Sequence, residues 1–362
     1  MKRIGIGIVG CGKISDIYLT NLTSMFDNVR VVAVADLVPE RARAKASEYK
    51  VERACSVDEL LSDPAVDIVL NITIPAVHAE VALAAVRAGK HVYNEKPLTV
   101  SREDGARLLQ EAAKAGVLVG CAPDTFLGAG LQTSRWVVEQ GLIGEPIAAT
   151  AFMAGHGPEG WHPDPEFFYK RGGGPMFDMG PYYLTALISL IGPVRTVTGM
   201  ARASFAERTI TSQPKSGTKI KVDIPTHVAG TLEFQTGAIG TIVTSFDVWA
   251  HNLPRIEIHG TTGSLSVPDP NTFGGPVQLK RAGADKWEDI PLTHGHSENS
   301  RGIGLSDMAR AIGEKGVHRA NGEMAFHVLD IMHAIHEAAE GKRHVTLGSS
   351  CTKPQPLPPL KK

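Results

Sequence analysis

The sequence predicts an α/β protein: an N-terminal doubly wound parallel sheet, followed by an α+β domain built on a large, open, mostly antiparallel sheet. Three observations carry this expectation. From about Arg3 to Ala122, short apolar runs alternate with helical patterns, as in a parallel sheet covered on both faces. From about Ala148 the texture changes to longer β-rich runs joined by short turns. The 362 residues, 43% of them apolar, also exceed the ~250–300 at which one core stops growing, so two packed domains are expected.

In the first region the runs 4–9, 29–35, 66–72, 91–93 and 117–120 read as buried strands. Between them lie helix signals: capping boxes at Ser56-x-x-Glu59 and Ser101-x-x-Asp104, Pro39 near a helix start, and Gly89 just past the 79–88 pattern. In the second region 193–205, 226–234, 238–246, 255–259 and 264–267 read as strands, with turns at Thr236-Gly237 and Thr262-Gly263. Helical patterns follow at about 297–316 and 322–341. The expected division is 1–122 for the first domain, 123–345 for the second, and 346–362 for a proline-rich tail with no packing pattern. No internal repeat is found.

Composition excludes several classes. Lys plus Arg number 37 against 38 Asp plus Glu, a net charge of -1 with no charged block, which argues against a nucleic-acid partner. Cys11, Cys55, Cys121 and Cys351 form no C-x-x-C pair, so neither a disulfide framework nor a thiolate metal site is expected, and a reducing, cytoplasmic setting fits. No apolar leader precedes the first strand, and no stretch approaches the ~20 apolar residues of a membrane span.

The first strand runs into Gly10-Cys11-Gly12-Lys13-Ile14-Ser15 and then a helical pattern, the order that a pyrophosphate site requires. Gly10 permits a tight turn, Gly12 lets backbone approach phosphate, and the helix N-terminus supplies N–H donors and partial positive charge. Ser15 stands where a third glycine is usual; it is small enough for close packing. Asp36 closes the second strand 21 residues beyond Ser15, where a carboxylate accepts from an adenosine ribose. The alternative is a glycine turn and a capping aspartate of an unrelated α/β protein; strand, turn, helix and acid together argue against it.

Asn94-Glu95-Lys96-Pro97 ends a later strand, where open α/β sheets bind ligands, and the proline suggests a rigid or cis turn that aims Lys96. On these residues alone Lys96 reads more readily as a solvated lysine. In Gly172-Gly173-Gly174-Pro175-Met176-Phe177-Asp178-Met179-Gly180-Pro181-Tyr182-Tyr183, a glycine-rich lead-in opens a helix that puts Asp178 and Tyr182 on one face. A phenol beside an ammonium becomes a usable proton acceptor. Taken alone, the bland reading of a glycine loop capping a buried aromatic helix is favoured, and Pro181 leaves the helical register open.

Together these residues resemble the Gfo/Idh/MocA oxidoreductase family, the glucose–fructose oxidoreductase and inositol dehydrogenase group, over nearly the whole chain. The carriers are the Gly10–Ser15 turn, Asp36, Asn71-Ile-Thr73-Ile-Pro75 with His78, Glu95-Lys96-Pro97, and Gly172-Gly-Gly-x-x-x-Asp178-x-Gly180-x-Tyr182, in the family's order and approximate spacing. The resemblance reverses the readings of Lys96 and Tyr182. It implies a Rossmann domain binding NAD, preferred, or NADP, through Gly10, Cys11, Gly12, Lys13, Ile14, Ser15, Asp36, Asn71, Thr73, Pro75, His78, Glu95, Lys96 and Pro97. It implies catalysis by Lys96, Asp178 and Tyr182, and a homodimer or homotetramer formed through the C-terminal sheet; no metal is expected, because the candidate histidines lack nearby cysteines or a paired carboxylate motif. Many members carry histidine where this chain has Tyr182; a phenol with an ordinary pKa of ~10 needs help that a histidine near ~6.5 does not.

The expected reaction is hydride transfer to or from a secondary-alcohol carbon of a sugar, sugar derivative or cyclitol. Asp124, Trp161 and His162 join Lys96, Asp178 and Tyr182 as candidate substrate contacts, although a structural turn accounts equally well for the Trp161 loop that also holds His156. Asp124 and Thr125 follow the last strand of the first domain, where the family usually places contacts. A neutral ring is expected because an anionic substrate calls for a fork of arginines, and only Arg171 adjoins the glycine lead-in, with Lys170 beside it and Arg301 further along. His294 and His296 read as a solvated loop and not as metal ligands; His327, His333 and His336 read as core or interface partners; Asn299 and Arg301 are candidate rim residues. Two rivals share the scaffold: a redox glycosidase that keeps NAD tightly bound, and a dinucleotide or sugar sensor without turnover.

Asp36 is expected to make NAD bind more tightly than NADP, because it accepts from a 2′-hydroxyl and repels a 2′-phosphate, with Lys13 and Arg41 near enough to soften the preference. Titration with both dinucleotides decides this; tighter NADP binding by the wild type would remove the role.

Overall fold

The computed structural model describes residues 3–360. Two compact units emerge: Met1–Leu127 with Glu298–Phe326, and Gly128–Ser297 with His327–Lys362. This departs from the contiguous division expected from sequence.

In the first unit, β1 (Ile4–Val9), α1 (Ser15–Ser24), β2 (Val29–Ala35), α2 (Pro39–Tyr49), β3 (Arg53–Cys55), α3 (Val57–Ser62), β4 (Ile68–Asn71), α4 (His78–Arg87), β5 (His91–Asn94), α5 (Arg102–Ala115) and β6 (Val119–Cys121) alternate along the chain. The strands form one parallel sheet in the order β3-β2-β1-β4-β5-β6, the doubly wound arrangement expected. Only β3 lacked a sequence signal: Arg53 and Ala54 are exposed, so this edge strand carries no apolar run. Ser56 and Glu59 cap α3 reciprocally, while Ser101 accepts from the Asp104 N–H at the start of α5.

The second unit contributes α6 (Ala129–Glu139), β7 (Pro146–Ala154), α7 (Gly174–Leu190), β8 (Val194–Arg202), β9 (Glu207–Thr209), β10 (Lys219–Lys221), β11 (His227–Phe234), β12 (Ile239–Ser245), β13 (Ile256–Gly260), β14 (Gly263–Val267), β15 (Val277–Arg281) and β16 (Glu288–Ile290). After α8 (Ile303–Glu314), which belongs to the first unit, come α9 (Gly322–Gly341) and β17 (Val345–Thr346). A nine-stranded sheet in the order β16-β15-β14-β13-β7-β12-β11-β8-β17 is antiparallel except where β7 runs parallel to β12. Its inner face packs apolar side chains such as Ala151, Ile242, Leu232, Ile258 and Leu265, all fully buried, beside the buried helix α7.

Two corrections to the expected boundaries have identifiable causes. The segment 298–326 rejoins the first unit because the Asp124 carboxylate accepts the N–H groups of Gly302 and Gly304 at 2.8 and 3.1 Å, and Asn21 donates to the carbonyls of Asn299 and Arg301. The proline-rich tail is packed, not free: β17 extends the sheet, Leu357 N donates to Gln132 at 2.7 Å, and Leu360 N to the Thr293 carbonyl at 2.9 Å. Prolines lack N–H groups, but the residues between them and the carbonyls still bond, which a compositional reading overlooks.

Fully buried His327 on α9 joins three segments. Its Nε2 accepts the Val194 N–H at 3.0 Å, and its Nδ1 lies 2.9 Å from the hydroxyl of Ser349, which donates to Asp330 at 2.6 Å. Burial pushes this imidazole down to about 4, so its neutral form contributes stability that is present above the ordinary histidine range and lost as pH falls toward 4. Partly buried His336 is lowered in the same direction. Between pH 7 and 4.5 the wild type is therefore expected to lose about 2 kcal/mol more unfolding free energy than His327→Gln. Urea titrations at the two pH values read this; equal losses would show that His327 does not set the acid limb.

Candidate functional site

The glycine turn is built by close approach. At Gly10, φ is +105°, and a Cβ there would stand 2.8 Å from the Ile72 carbonyl oxygen, so no other residue fits. Cys11 N donates to Asp36 Oδ2 at 2.7 Å and Val38 N to Asp36 Oδ1 at 2.8 Å, which fixes the carboxylate at the end of β2. Around Gly12 nothing lies within 4 Å of a Cβ position; Gly12, Lys13 and Ile14 are exposed, and α1 begins without a side-chain cap. Buried Ser15 donates to the Gly12 carbonyl at 2.6 Å, so hydroxyl and backbone close the turn that a glycine usually makes. An open, uncapped helix start beside an oriented carboxylate fits the diphosphate and ribose of a dinucleotide.

Several expected cofactor contacts are instead committed to fastening this end of the sheet. The Cys11 thiol is buried against the Ala35 carbonyl, and burial pushes it up to about 12. Asn71, fully buried, bridges strand ends by donating to Asn94 Oδ1 and to the His78 carbonyl, each at 3.0 Å, and accepts from Thr73 Oγ1 at 2.7 Å. His78 is 1% exposed; burial lowers its pKa, and its Nδ1 and Nε2 lie 2.7 and 3.1 Å from the Pro97 and Thr73 carbonyls. Thr73 and Pro75 remain half-exposed, Pro75 opening a single 3-10 turn, Pro75–Val77, ahead of α4.

The Glu95-Lys96-Pro97 turn is held from both sides. Tyr18 donates its hydroxyl to Glu95 Oε1 at 2.7 Å, Lys96 N donates to Glu95 Oε2 at 2.9 Å, and His78 takes the Pro97 carbonyl. The Lys96–Pro97 peptide is cis, and Lys96 is half-exposed at the C-terminal end of β5. Asp124 serves a different end from the one expected: 1% exposed, it spends its Oδ2 on the Gly302 and Gly304 N–H groups, and burial pushes it up to about 6. Thr125 beside it is equally buried. Asn299 and Arg301 pair with each other at 2.9 Å and lend their carbonyls to Asn21.

In the second unit α7 runs unbroken from Gly174 to Leu190 with Pro181 inside it, which settles the register left open by sequence. Asp178, half-exposed, and Tyr182, 7% exposed, are four residues apart and therefore share a face. The lead-in needs its glycines: a Cβ at Gly173 would meet the Phe167 and Phe168 carbonyl oxygens at 2.5 and 2.7 Å. Trp161 is 63% exposed and meets His162 edge-on, and His162 Nδ1 accepts the Asp164 N–H at 3.0 Å. His333 and His336 flank the ring of Phe177, next to Asp178. His294 lies against Thr293 and the Leu357 carbonyl, and among the described residues no group of three or more metal-ligating side chains gathers.

Sequence reasoning missed a buried charge cluster of Arg208 with Glu159 and Asp247, because partners 49 and 39 residues apart leave no motif. It also missed the Tyr18–Glu95 bond, for which a tyrosine on the inner face of α1 is too common a feature to serve as a signal.

Residues 4–122 match a family model described as "Oxidoreductase family, NAD-binding Rossmann fold", and residues 131–266 match the "GFO/IDH/MocA C-terminal domain". The chain is 33% identical over 242 residues to a 1,5-anhydro-D-fructose reductase of Ensifer adhaerens, covering 65% of this chain and 67% of that protein. It is 28% identical over 261 residues to a myo-inositol 2-dehydrogenase of Thermotoga maritima, covering 72% and 74% respectively. Among solved structures, a levoglucosan dehydrogenase in complex with NADH and L-sorbose shares the fold at a TM-score of 0.81, with 22% identity over 96% of this chain and all of that one. An NAD binding oxidoreductase from Klebsiella pneumoniae does so at 0.83, with 23% identity and the same coverage. The open dinucleotide turn at one end of the chain and the sheet domain matched behind it lead to one conclusion: the chain belongs to the Gfo/Idh/MocA family of NAD-binding oxidoreductases.

Proposed function

We propose that the chain is a dehydrogenase or reductase that moves a hydride between a nicotinamide dinucleotide, NAD in preference to NADP, and a secondary-alcohol carbon of a neutral pyranose, a pyranose derivative or a cyclitol. The observation that carries this is α7, on which Asp178 and Tyr182 share one face behind a glycine lead-in, in a chain whose first unit keeps an open dinucleotide turn. The bound dinucleotide supplies hydride donation and acceptance at the nicotinamide ring. Gly12 and the start of α1 bind the diphosphate, and Asp36 accepts from the ribose. Lys96 donates to the reacting hydroxyl, Tyr182 exchanges its proton, and Asp178 orients the alcohol. Trp161 offers an apolar face to the ring and His162 a switchable polar group. Asp124 is left out of this set because its carboxylate is spent on α8.

Support for a neutral substrate comes from the charges beside the lead-in. Lys170 is tied to Asp223 at 2.6 Å, which partly neutralises it and disfavours an arginine–lysine fork for a carboxylate or diphosphate. The relatives named for 1,5-anhydro-D-fructose and myo-inositol point the same way. No helix among the described residues is long and apolar enough to cross a membrane, and cysteines that form no disulfide favour a cytoplasmic setting. Self-association is proposed through the outer face of the nine-stranded sheet, where Thr150, Phe152, Thr241, Val243, Ala229 and Thr198 form a small and apolar patch in register, with Glu257 beside Thr150 at its edge.

The deciding experiment is a panel of aldoses, 3-keto and 1,5-anhydro sugars, glycosides, inositols, uronic acids and nucleotide sugars. It is run in both directions with NAD and NADP, following reduced-nicotinamide absorbance. Turnover of neutral members is expected; activity confined to the anionic members would defeat the reading, as would free aglycone released without net NADH. Lys96→Met and Tyr182→Phe are each expected to cost at least ~10²-fold in turnover while dinucleotide affinity is nearly unchanged. Wild-type turnover by Tyr182→Phe would remove the proton-transfer assignment.

A further inference from the structure

Between β8 and β11 the chain makes an excursion, the ribbon of β9 and β10, that the proposed chemistry does not use. Arg208 lies on β9, 5% exposed. Its Nε donates to Glu159 Oε1 at 2.7 Å, its Nη1 to Asp247 Oδ1 at 2.9 Å, and its Nη2 to the Phe246 carbonyl at 3.1 Å, to the His156 carbonyl and again to Glu159. One cation thus ties together the loops that leave β7 and β12, which are parallel neighbours ending side by side at Ala154 and Ser245.

The cluster continues toward α7. The second oxygen of Glu159 accepts the Tyr169 hydroxyl, and the Glu159 carbonyl accepts the N–H groups of Thr211 and Ser212 at 2.9 and 3.0 Å. Tyr169 ends the turn Pro165–Tyr169, whose Phe167 and Phe168 carbonyls lie directly against Gly173, the N-cap of α7. Asp223 N holds the Tyr169 carbonyl at 3.0 Å, and Ile224 and Pro225 abut Gly174. A buried cation with two buried carboxylates is a poor way to gain stability alone, since apolar packing of equal volume does as well or better; it is a good way to fix geometry.

We propose that Arg208 is a positioning residue for the alcohol site: through Glu159 and Tyr169 it sets the loop bearing Trp161 and His162 and the first turn of the helix bearing Asp178 and Tyr182. The proposal rests on the assignment of those four residues to the alcohol. Arg208→Lys keeps the charge and loses the planar fork; Tyr169→Phe removes one hydroxyl and keeps the ring, so it retains the apolar packing with Phe246 and Ile210.

The test is steady-state kinetics of the full chain on the neutral panel member that the wild type turns over fastest, with NAD affinity and the melting transition measured on the same samples. Both variants are expected to melt cooperatively, to bind NAD within about twofold of wild type, and to raise the KM for the alcohol at least ~10-fold, because small misplacements of a site are costly. A purely structural role lowers the melting temperature without that split. If Arg208→Lys does not fold, Tyr169→Phe decides alone, and an alcohol KM within about twofold of wild type overturns the proposal. Tyr182→Phe is run beside them: wild-type turnover there removes the alcohol-site assignment, and with it the basis of this proposal. An inactive Tyr182→Phe beside an unchanged Tyr169→Phe removes this proposal only.

Discussion

At Gly10 the backbone turns with φ at +105° under the Ile72 carbonyl, in a space that would admit no Cβ. Everything dinucleotide-specific in the first unit depends on that approach. Because the turn is so tight, the Cys11 N–H meets Asp36 at the end of the neighbouring strand, and the carboxylate is oriented before any ligand arrives. The same turn leaves the start of α1 uncapped and exposed at Gly12, Lys13 and Ile14. A residue with a side chain at position 10 would push β1 away from β4, and both features would go with it.

Buried polar groups do much of the fastening, often with residue types that suggest chemistry. His78, Asn71 and Asn94 lace the ends of β4 and β5 to the Pro97 turn; Glu95 is clamped by Tyr18; Asp124 anchors α8. Each is satisfied by hydrogen bonds, which is the condition for burying such groups at all. The consequence is positional: Lys96 is carried on a turn fixed on both sides, so its side chain starts from a defined place.

In the second unit the sheet supplies a floor and α7 the face on which the proposed alcohol site rests. The helix starts against the backbone of Phe167 and Phe168, so its position answers to a loop, and that loop answers to the Arg208 cluster. This chain of contacts gives the β9–β10 excursion a place in the architecture, as a brace for the lead-in to α7.

Fold class was legible from local pattern, because buried parallel strands are apolar throughout and alternating sheets show a period of two, and both signals survive in a single sequence. The turn at Gly10–Ser15 and Asp36 were legible for the same reason: strand, turn, helix and acid are near neighbours in the chain. The pairing of Asp178 with Tyr182 followed from helical spacing once α7 proved continuous. The duties of Asp124 and His78, the return of 298–326 to the first unit and the packing of the tail could not be read this way. They are set by partners far apart in sequence, whose choice depends on which groups burial leaves unsatisfied. Arg208 shows this most plainly: the chain names a cation at that position, but its burial between two carboxylates remote in sequence follows from how the β7, β9 and β12 ends pack.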